Sequence, residues 1–254
     1  MVEDRTAATA VGTPLAGKVA LVTGAGGALG RAIAATFAAQ GARVFGVDLA
    51  GDVDLRADVG TAAGNQEAVA ACVAAHGQLD HLVLNAGVQR VAPIADFPPA
   101  EWDRLLAIML SGPFLAVQAA WPQLTRVPGG RILVTASTSS FVAEPGKSAY
   151  VAAKHGVLGL VKVAALEGGP HGLTANAVAP SWVRTPLVEG QVAERAARQG
   201  CSEEEAIRAL VDEHAAPRFV EAAEVAATLA FLAAPAAAAI TGACVPVDLG
   251  ALAR

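Results

Sequence analysis

The chain has 254 residues, of which 54% are hydrophobic and 16% are charged, so it can bury a sizeable core. Its formal net charge is -5 and no basic run occurs, which argues against a nucleic-acid-binding protein. The N-terminus has no basic region followed by an apolar stretch, and the longest apolar run, residues 225–240, contains Pro235 and is too short to cross a bilayer. We therefore expect a cytoplasmic protein without a membrane span that acts on small molecules.

Short apolar runs alternate with alanine-rich stretches along the chain. Residues 1–17 are expected to form a disordered tail, and residues 18–254 a single domain. The strands are predicted at residues 19–23, 43–48, 81–85, 131–137, 174–178 and 244–248, and the clearest helices at 29–40 and 150–167. A segment rich in Glu, Arg and Ala, at about 186–216, is predicted to be a helical lid. The alternation predicts an α/β fold with a doubly wound parallel sheet and helices on both faces.

The first strand leads directly into a glycine-rich loop, residues 23–30 (TGAGGALG), and then into a helix. The backbone N–H groups of such a loop and the helix N-terminus can bind the pyrophosphate of a dinucleotide. Asp48 ends the second strand, where its carboxylate can accept hydrogen bonds from a ribose and would repel a 2′-phosphate. Because no Arg stands at Ala25 or just after Asp48, the sequence predicts a Rossmann-type domain that binds NAD rather than NADP.

Tyr150 and Lys154 are four residues apart and share one face of a predicted helix, while Ser137 ends a predicted strand. A Tyr is a poor base at its ordinary pKa of about 10, but a nearby ammonium and a cationic nicotinamide favour the phenolate. Tyr150 can then take a proton from an alcohol, Ser137 can hold the reacting oxygen, and Lys154 can tune Tyr150 and bind the nicotinamide ribose. This spacing is common on ordinary helices, but beside the glycine loop and Asp48 it predicts hydride transfer between a nicotinamide and a small alcohol or ketone, without a metal.

Residues 18–250 resemble the short-chain dehydrogenase/reductase family. The resemblance rests on TGAGGALG, on Asp58-Val59, on NAG at residues 85–87, on Ser137 and on YVAAK at residues 150–154. It implies that Asp58 and Val59 contact adenine, that residues 180–185 (PSWVRT) surround the nicotinamide, and that a homotetramer forms through two long helices. The residues predicted to bind the cofactor are Gly24, Gly26, Leu29, Gly30, Asp48, Asp58, Val59, Asn85, Ala86, Gly87, Tyr150, Lys154, Pro180, Val183 and Thr185.

Within that family, three segments are similar to bacterial D-3-hydroxybutyrate dehydrogenases: GVQRVAPIADFP at residues 87–98, KSAYVAAKHG at 147–156 and WVRTPLVEGQ at 182–191. The likeness implies that Gln89, Lys147 and Gln191 bind a substrate carboxylate and that Trp182 bounds a small pocket. A lone cation flanked by two amides suits a small carboxylate, although Lys147 alone is equally consistent with a solvated loop lysine. Ser139, also on the substrate side, stands where those enzymes carry a His.

Other positions depart from the family pattern. Ala28 replaces the middle glycine of the loop, Asp248-Leu249-Gly250 stands where two glycines are usual, and Met109 aligns with a catalytic Asn. Three hypotheses are therefore open: a dehydrogenase of a small hydroxy acid such as D-3-hydroxybutyrate, a dehydrogenase of another secondary alcohol, and a nucleotide-binding protein with little catalysis. Only Met109 favours the last of these.

Overall fold

The computed structural model describes residues 13–126 and 128–253. In this part of the chain one parallel sheet has the strand order β3-β2-β1-β4-β5-β6-β7. Its strands are β1 (Val19–Thr23), β2 (Arg43–Asp48), β3 (Leu55–Arg56), β4 (His81–Leu84), β5 (Arg131–Thr135), β6 (Thr174–Pro180) and β7 (Cys244–Val247). The central strands are buried on both faces, which explains their nearly continuous apolar sequences.

Helices cover both faces of the sheet. They are α1 (Ala28–Ala39), α2 (Ala62–His76), α3 (Pro99–Leu106), α4 (Gly112–Leu124), α5 (Ser148–Gly168), α6 (Pro186–Gln199), α7 (Glu203–Val211) and α8 (Ala222–Ala233). A π-helical turn, Ala107–Ser111, joins α3 to α4. Side chains of α1 and α8 form the apolar core on one face, and those of α2, α4 and α5 form the core on the other. The predicted doubly wound fold is confirmed.

The predicted elements are present, with shifted ends. The strand expected at residues 131–137 ends at Thr135, and the strand expected at 174–178 continues to Pro180. The apolar run that begins at residue 225 belongs to α8, which ends before Pro235 because Ala234 adopts an extended conformation. Strand β3 was missed, because two residues at a sheet edge carry no periodic pattern.

The folded part of the chain begins before residue 18. Residues 13–17, which were assigned to the tail, form a turn in which Leu15 is fully buried. The Leu15 N–H donates a 2.9 Å hydrogen bond to the carbonyl of Gln40 at the end of α1. Burial of one leucine therefore extends the domain beyond the boundary that composition indicated, while residues 1–12 of the predicted tail lie outside the described residues.

Residues 186–216 contain α6 and α7, which share a small apolar cluster of their own with Phe219. The segment after α7 is fastened to the end of β6 through His214. His214 Nδ1 donates to the carbonyl of Arg218, so Nε2 accepts a 2.7 Å hydrogen bond from the Ser181 hydroxyl. The insertion is thus anchored where β6 ends, next to the sheet edge at which α/β proteins bind ligands.

Two helical segments, Pro99–Leu124 and Ser148–His171, are long and apolar enough to span a membrane by length and composition alone. Core helices of soluble proteins also pass this test, so it is weak evidence of a span. In the fold both segments contribute buried side chains to the core over the sheet. Their outer sides nevertheless expose large apolar residues, with Phe114 50%, Val163 51% and Leu166 79% exposed.

Candidate active site

A cavity of about 890 Å³ lies at the carboxyl ends of the central strands. All of the site residues that the sequence predicted line it: Gly24, Gly26, Leu29, Gly30, Asp48, Asp58, Val59, Asn85, Ala86, Gly87, Gln89, Ser137, Ser139, Lys147, Tyr150, Lys154, Pro180, Trp182, Val183, Thr185 and Gln191. They come from segments spread over most of the chain. The parallel sheet brings them together, because the ends of its strands meet at one edge.

The glycine loop at one end of the cavity requires its glycines for steric reasons. Gly24 has φ +68°, a conformation that side chains disfavour. A Cβ atom at Gly30 would overlap the Gly24 carbonyl oxygen, and one at Gly26 would overlap the Ala50 carbonyl oxygen. The loop therefore packs tightly on itself and exposes backbone beside the N-terminus of α1, where Ala28 also lines the cavity.

Asp48 is held at the end of β2 with its carboxylate turned toward the glycine loop. Its Oδ2 accepts a 3.0 Å hydrogen bond from the Gly26 N–H, and its Oδ1 accepts one of 2.7 Å from the Leu49 N–H. Arg31, which no sequence motif indicated, lines the same cavity and donates to the Gly26 carbonyl. Arg31 lies in the first turn of α1, away from Ala25 and from the residues just after Asp48, where a phosphate-binding cation would be expected.

Asn85 ties the ends of three neighbouring strands together. Its side-chain amide donates to the Thr23 carbonyl at 3.2 Å, and its Oδ1 accepts from the Thr135 hydroxyl at 3.1 Å. The Thr23 hydroxyl oxygen in turn accepts from the Asn85 N–H at 3.0 Å. Because these side-chain atoms are engaged inside the protein, Asn85 shapes the cavity wall beside the glycine loop.

Ser137, Tyr150 and Lys154 meet in the buried part of the cavity. The Ser137 side chain, just beyond β5, accepts a 3.1 Å hydrogen bond from the Ser139 N–H. Lys154 Nζ donates a 2.6 Å hydrogen bond to the Thr135 carbonyl. Tyr150 and Lys154 both lie on α5, so a regular helix and the end of one strand position all three groups.

The electrostatics of this group disfavour charge on either α5 side chain. Burial raises the pKa of the Tyr150 hydroxyl above its ordinary value, and the hydrogen bond with Ser137 acts in the opposite direction. Tyr150 as a residue is half-buried and lines the cavity. Burial lowers the pKa of Lys154 to about 8. A phenolate at Tyr150 therefore needs positive charge in addition to that of Lys154.

Lys147 is not the lone cation that the sequence analysis expected. Its Nζ lies 2.8 Å from Glu144 Oε2 and 4.2 Å from the centre of the Trp182 ring. Burial lowers the pKa of Lys147, and the Glu144 carboxylate partly opposes that shift. The interpretation was wrong because the turn at residues 144–147 brings Glu144 back onto Lys147. The only sequence signal was an acidic residue three positions before the lysine.

The other departures also have structural settings. Met109 is buried on the π-helical turn and packs with Leu105, Ala149 and Ala153, in a cluster against which Tyr150 also packs. Leu249 has φ 54°, the only positive φ among the described residues other than glycine. This strained position explains why glycine is usual there.

Comparisons with known proteins agree with this architecture. Residues 24–251 match the family described as Enoyl-(Acyl carrier protein) reductase. The D-beta-hydroxybutyrate dehydrogenase of Cupriavidus necator is 41% identical, over 94% of this chain and 100% of the relative. The D-threitol dehydrogenase of Mycolicibacterium smegmatis is 39% identical, over 93% of each chain.

Solved structures show the same fold. The ligand-free aldohexose dehydrogenase of Thermoplasma acidophilum has a TM-score of 0.88 and 32% identity, covering 95% of this chain and 96% of the other. The protein is therefore an oxidoreductase and belongs to the short-chain dehydrogenase/reductase family.

Proposed function

We propose that the protein is an NAD(H)-dependent dehydrogenase of the cytoplasm that interconverts a small secondary alcohol and the corresponding ketone. The observation that carries this proposal is the meeting of Ser137, Tyr150 and Lys154 in one cavity with Asp48 and the glycine loop. This reaction requires a proton-transfer group and a loop that can bind a dinucleotide, both in a single cavity.

The residues present fit a bound NAD. The loop around Gly24 and Gly30 and the N-terminus of α1 would receive the pyrophosphate, Asp48 the adenosine ribose, and Asp58 and Val59 the adenine. Pro180, Val183 and Thr185 would enclose the nicotinamide, which supplies the hydride acceptor. The cation at Arg31 is a feature that a 2′-phosphate could use, so the preference for NAD rests on the carboxylate of Asp48.

The side chains of the cavity would act on the alcohol as follows. Ser137 would donate a hydrogen bond to the reacting oxygen, and the Tyr150 hydroxyl would take its proton during oxidation. Lys154 would stabilise the Tyr150 phenolate and bind the nicotinamide ribose. The Thr135 carbonyl holds the Lys154 ammonium in this orientation.

A small hydroxy acid such as D-3-hydroxybutyrate is the first candidate substrate. It is supported by the name of the Cupriavidus necator relative and by the presence of Gln89, Lys147 and Gln191 in the cavity lining. Ser139 and Trp182 line the same cavity, and the Trp182 ring lies 4.2 Å from Lys147 Nζ. An ammonium beside amide groups suits a carboxylate of this size.

An uncharged polyol is the second candidate. It is favoured by the pairing of Lys147 with Glu144, which already supplies this ammonium with a carboxylate. The name of the Mycolicibacterium smegmatis relative, D-threitol dehydrogenase, supports the same class. Nucleotide binding with little catalysis is the weakest reading, since Ser137, Tyr150 and Lys154 are all present and in place.

Initial rates test the proposal. The protein would be assayed with NAD and with NADP on D-3-hydroxybutyrate, (R)-1,3-butanediol and D-threitol, with Tyr150→Phe as the control. We expect oxidation with NAD that the control lowers by about 10²- to 10⁴-fold, the contribution of general acid–base catalysis. An equally active control, or tight NADH binding without turnover of any alcohol or ketone in a wider panel, would refute the proposed function.

The resemblance also supports a homotetramer. The apolar residues that α4 and α5 expose, Phe114, Val163 and Leu166, would be covered by a second copy of the chain. Helices α6 and α7 would act as a lid over the substrate, because Val188 and Gln191 on α6 line the cavity.

A further inference from the structure

We infer that Glu144 is a specificity-determining residue. Its carboxylate pairs with the Lys147 ammonium within the protein and thereby disfavours substrates that carry a carboxylate of their own. The inference rests on the proposed function in that it concerns the polar end of the same substrate. Glu144 therefore lowers the ratio of activity on hydroxy acids to activity on uncharged alcohols, compared with the same cavity lacking Glu144.

The geometry places the pair inside the substrate end of the cavity. Both Glu144 and Lys147 line it, and the Lys147 side chain is only 7% exposed. One side of the ammonium contacts Glu144 Oε2 at 2.8 Å, and another faces the Trp182 ring. These two neighbours satisfy the cation before any ligand arrives.

Backbone contacts fix the loop that carries Glu144. The Lys147 N–H donates to the Glu144 carbonyl at 3.3 Å, which closes a turn between the two residues. The Ala92 N–H donates to the Gly146 carbonyl at 2.9 Å, which ties this turn to the loop that follows β4. The turn therefore keeps the backbones of Glu144 and Lys147 close together, so that their side chains can pair.

The surrounding charges add to the effect. The charged groups that act on Lys147 are Glu144, Arg195 and Glu213. Of these, the two carboxylates line the cavity together with Lys147. A substrate carboxylate would therefore meet like charges at Glu144 and Glu213 in the cavity, whereas Arg195, which carries the opposing charge, is not among the cavity-lining residues. A hydroxyl group would meet no like-charge repulsion.

An ordinary surface ion pair is the competing explanation, and the chain offers one for comparison. Glu101 and Arg104 are also three residues apart, and Arg104 Nη2 lies 3.0 Å from Glu101 Oε2. The Arg104 side chain is 47% exposed, however, and neither residue lines the cavity. Such exposed pairs contribute little to the stability of a protein. The pair at Lys147 differs because its cation is buried against the space that the substrate must occupy.

The test compares Glu144→Gln with Glu101→Gln as the matched control. Glutamine keeps the size of Glu144 and an oxygen that can accept from Lys147, so only the negative charge is removed. The substrates are D-3-hydroxybutyrate and (R)-1,3-butanediol, which share a carbon skeleton and differ in having a carboxylate or a hydroxymethyl group. We expect Glu144→Gln to raise the ratio of their kcat/KM values by about 10- to 100-fold in favour of the acid, the size of one charge-assisted hydrogen bond.

A second readout does not depend on turnover. Butyrate, an unreactive carboxylate, would be titrated calorimetrically into each protein in the presence of NADH, and Glu144→Gln should lower its Kd by about tenfold or more while Glu101→Gln leaves it unchanged. Equal changes for both substrates, weaker use of the acid, or unchanged butyrate binding would overturn the inference. If no alcohol is oxidised by any of the proteins, the proposed function fails, and butyrate binding still decides the role of Glu144.

Discussion

Lys154 Nζ lies 5.6 Å from the centre of the Tyr150 ring, one helical turn along α5. The same ammonium donates to the Thr135 carbonyl at the end of β5. Burial lowers the pKa of Lys154 to about 8, so the group that would activate Tyr150 is charged at neutral pH at a cost to stability. The proposed catalytic role of Lys154 and the stability of the fold are thus opposed at this residue.

Lys154→Met should abolish most activity and change how stability depends on pH. The pKa of Lys154 in the folded protein, about 8, lies below its ordinary value of 10.5. Between these values the unfolded chain binds more protons than the folded one, so the stability of the unsubstituted protein rises with pH across this window. Relative to Lys154→Met, its free energy of unfolding should increase by up to about 3 kcal/mol from pH 8 to pH 10.5.

Urea unfolding of both proteins at pH 7.5 and at pH 10.5 measures this difference. At pH 7.5 the Met variant should be within about 2 kcal/mol of the unsubstituted protein, because loss of the hydrogen bond to Thr135 offsets removal of the buried charge. A stability difference that is the same at both pH values would contradict the pKa assigned to Lys154.

The ionisation of Tyr150 can be observed directly, because the chain contains a single tyrosine. Burial raises its pKa, so phenolate absorbance near 295 nm should appear in the free protein only above the ordinary pKa of about 10. Saturating NAD should shift this titration to lower pH, because the nicotinamide adds a positive charge. Tyr150→Phe should show no such signal, and a titration that NAD leaves unmoved would argue against activation of Tyr150 by the cofactor.

Asp48→Ser should shift cofactor preference toward NADP. Removing the carboxylate removes the repulsion of a 2′-phosphate and leaves Arg31 as the nearby cation. We expect the ratio of kcat/KM for NAD over NADP to fall by about tenfold or more, the effect of one charged contact. In Asp48→Ser/Arg31→Ala, use of NADP should decline again. If Asp48→Ser keeps the kcat/KM ratio of the unsubstituted protein, Asp48 does not contact the adenosine ribose.

Met109→Asn tests the departure at the usual position of a catalytic asparagine. A thioether accepts hydrogen bonds weakly and donates none, so it holds a proton-relaying water poorly. The Asn variant should therefore raise kcat with little change in KM, while Met109→Leu, the matched apolar control, should not. Because Met109 is buried among Leu105, Ala149 and Ala153, the Asn variant should also lose about 1–3 kcal/mol of stability.

An unchanged or lower kcat in a folded Met109→Asn protein would count against this role. Proton release would then use another path, such as one through Ser111, which is exposed at the end of the same π-helical turn.

Leu166→Glu should prevent the proposed tetramer from forming. Leu166 on α5 is 79% exposed in the single chain, so a charge there should leave the fold intact but become costly within a subunit interface. Sedimentation equilibrium should show a smaller species than for the unsubstituted protein. Ile94→Glu, at another exposed apolar position, is the control and should keep the original size. A tetramer that persists in Leu166→Glu would place the interface elsewhere.

The sequence by itself predicted the sheet, the glycine loop and the proposed catalytic group. These features are encoded locally: buried strands show as apolar runs, Gly24 and Gly30 occur where no side chain fits, and Tyr150 and Lys154 share a face through helical spacing alone. Because the carboxyl ends of parallel strands lie at one edge of a sheet, these residues are expected to lie close together. All of them line the same cavity.

Only the tertiary structure decided which charges face one another. An acidic residue three positions before Lys147 does not by itself show that a turn carries Glu144 back onto the ammonium. The sequence likewise does not show that Arg31 reaches the carbonyl of Gly26. The sequence around Leu15 resembles a tail because the burial of Leu15 depends on a core cluster contributed by distant segments. Side-chain directions in loops and contacts between distant segments depend on the packing of the whole chain, which no periodicity or spacing records.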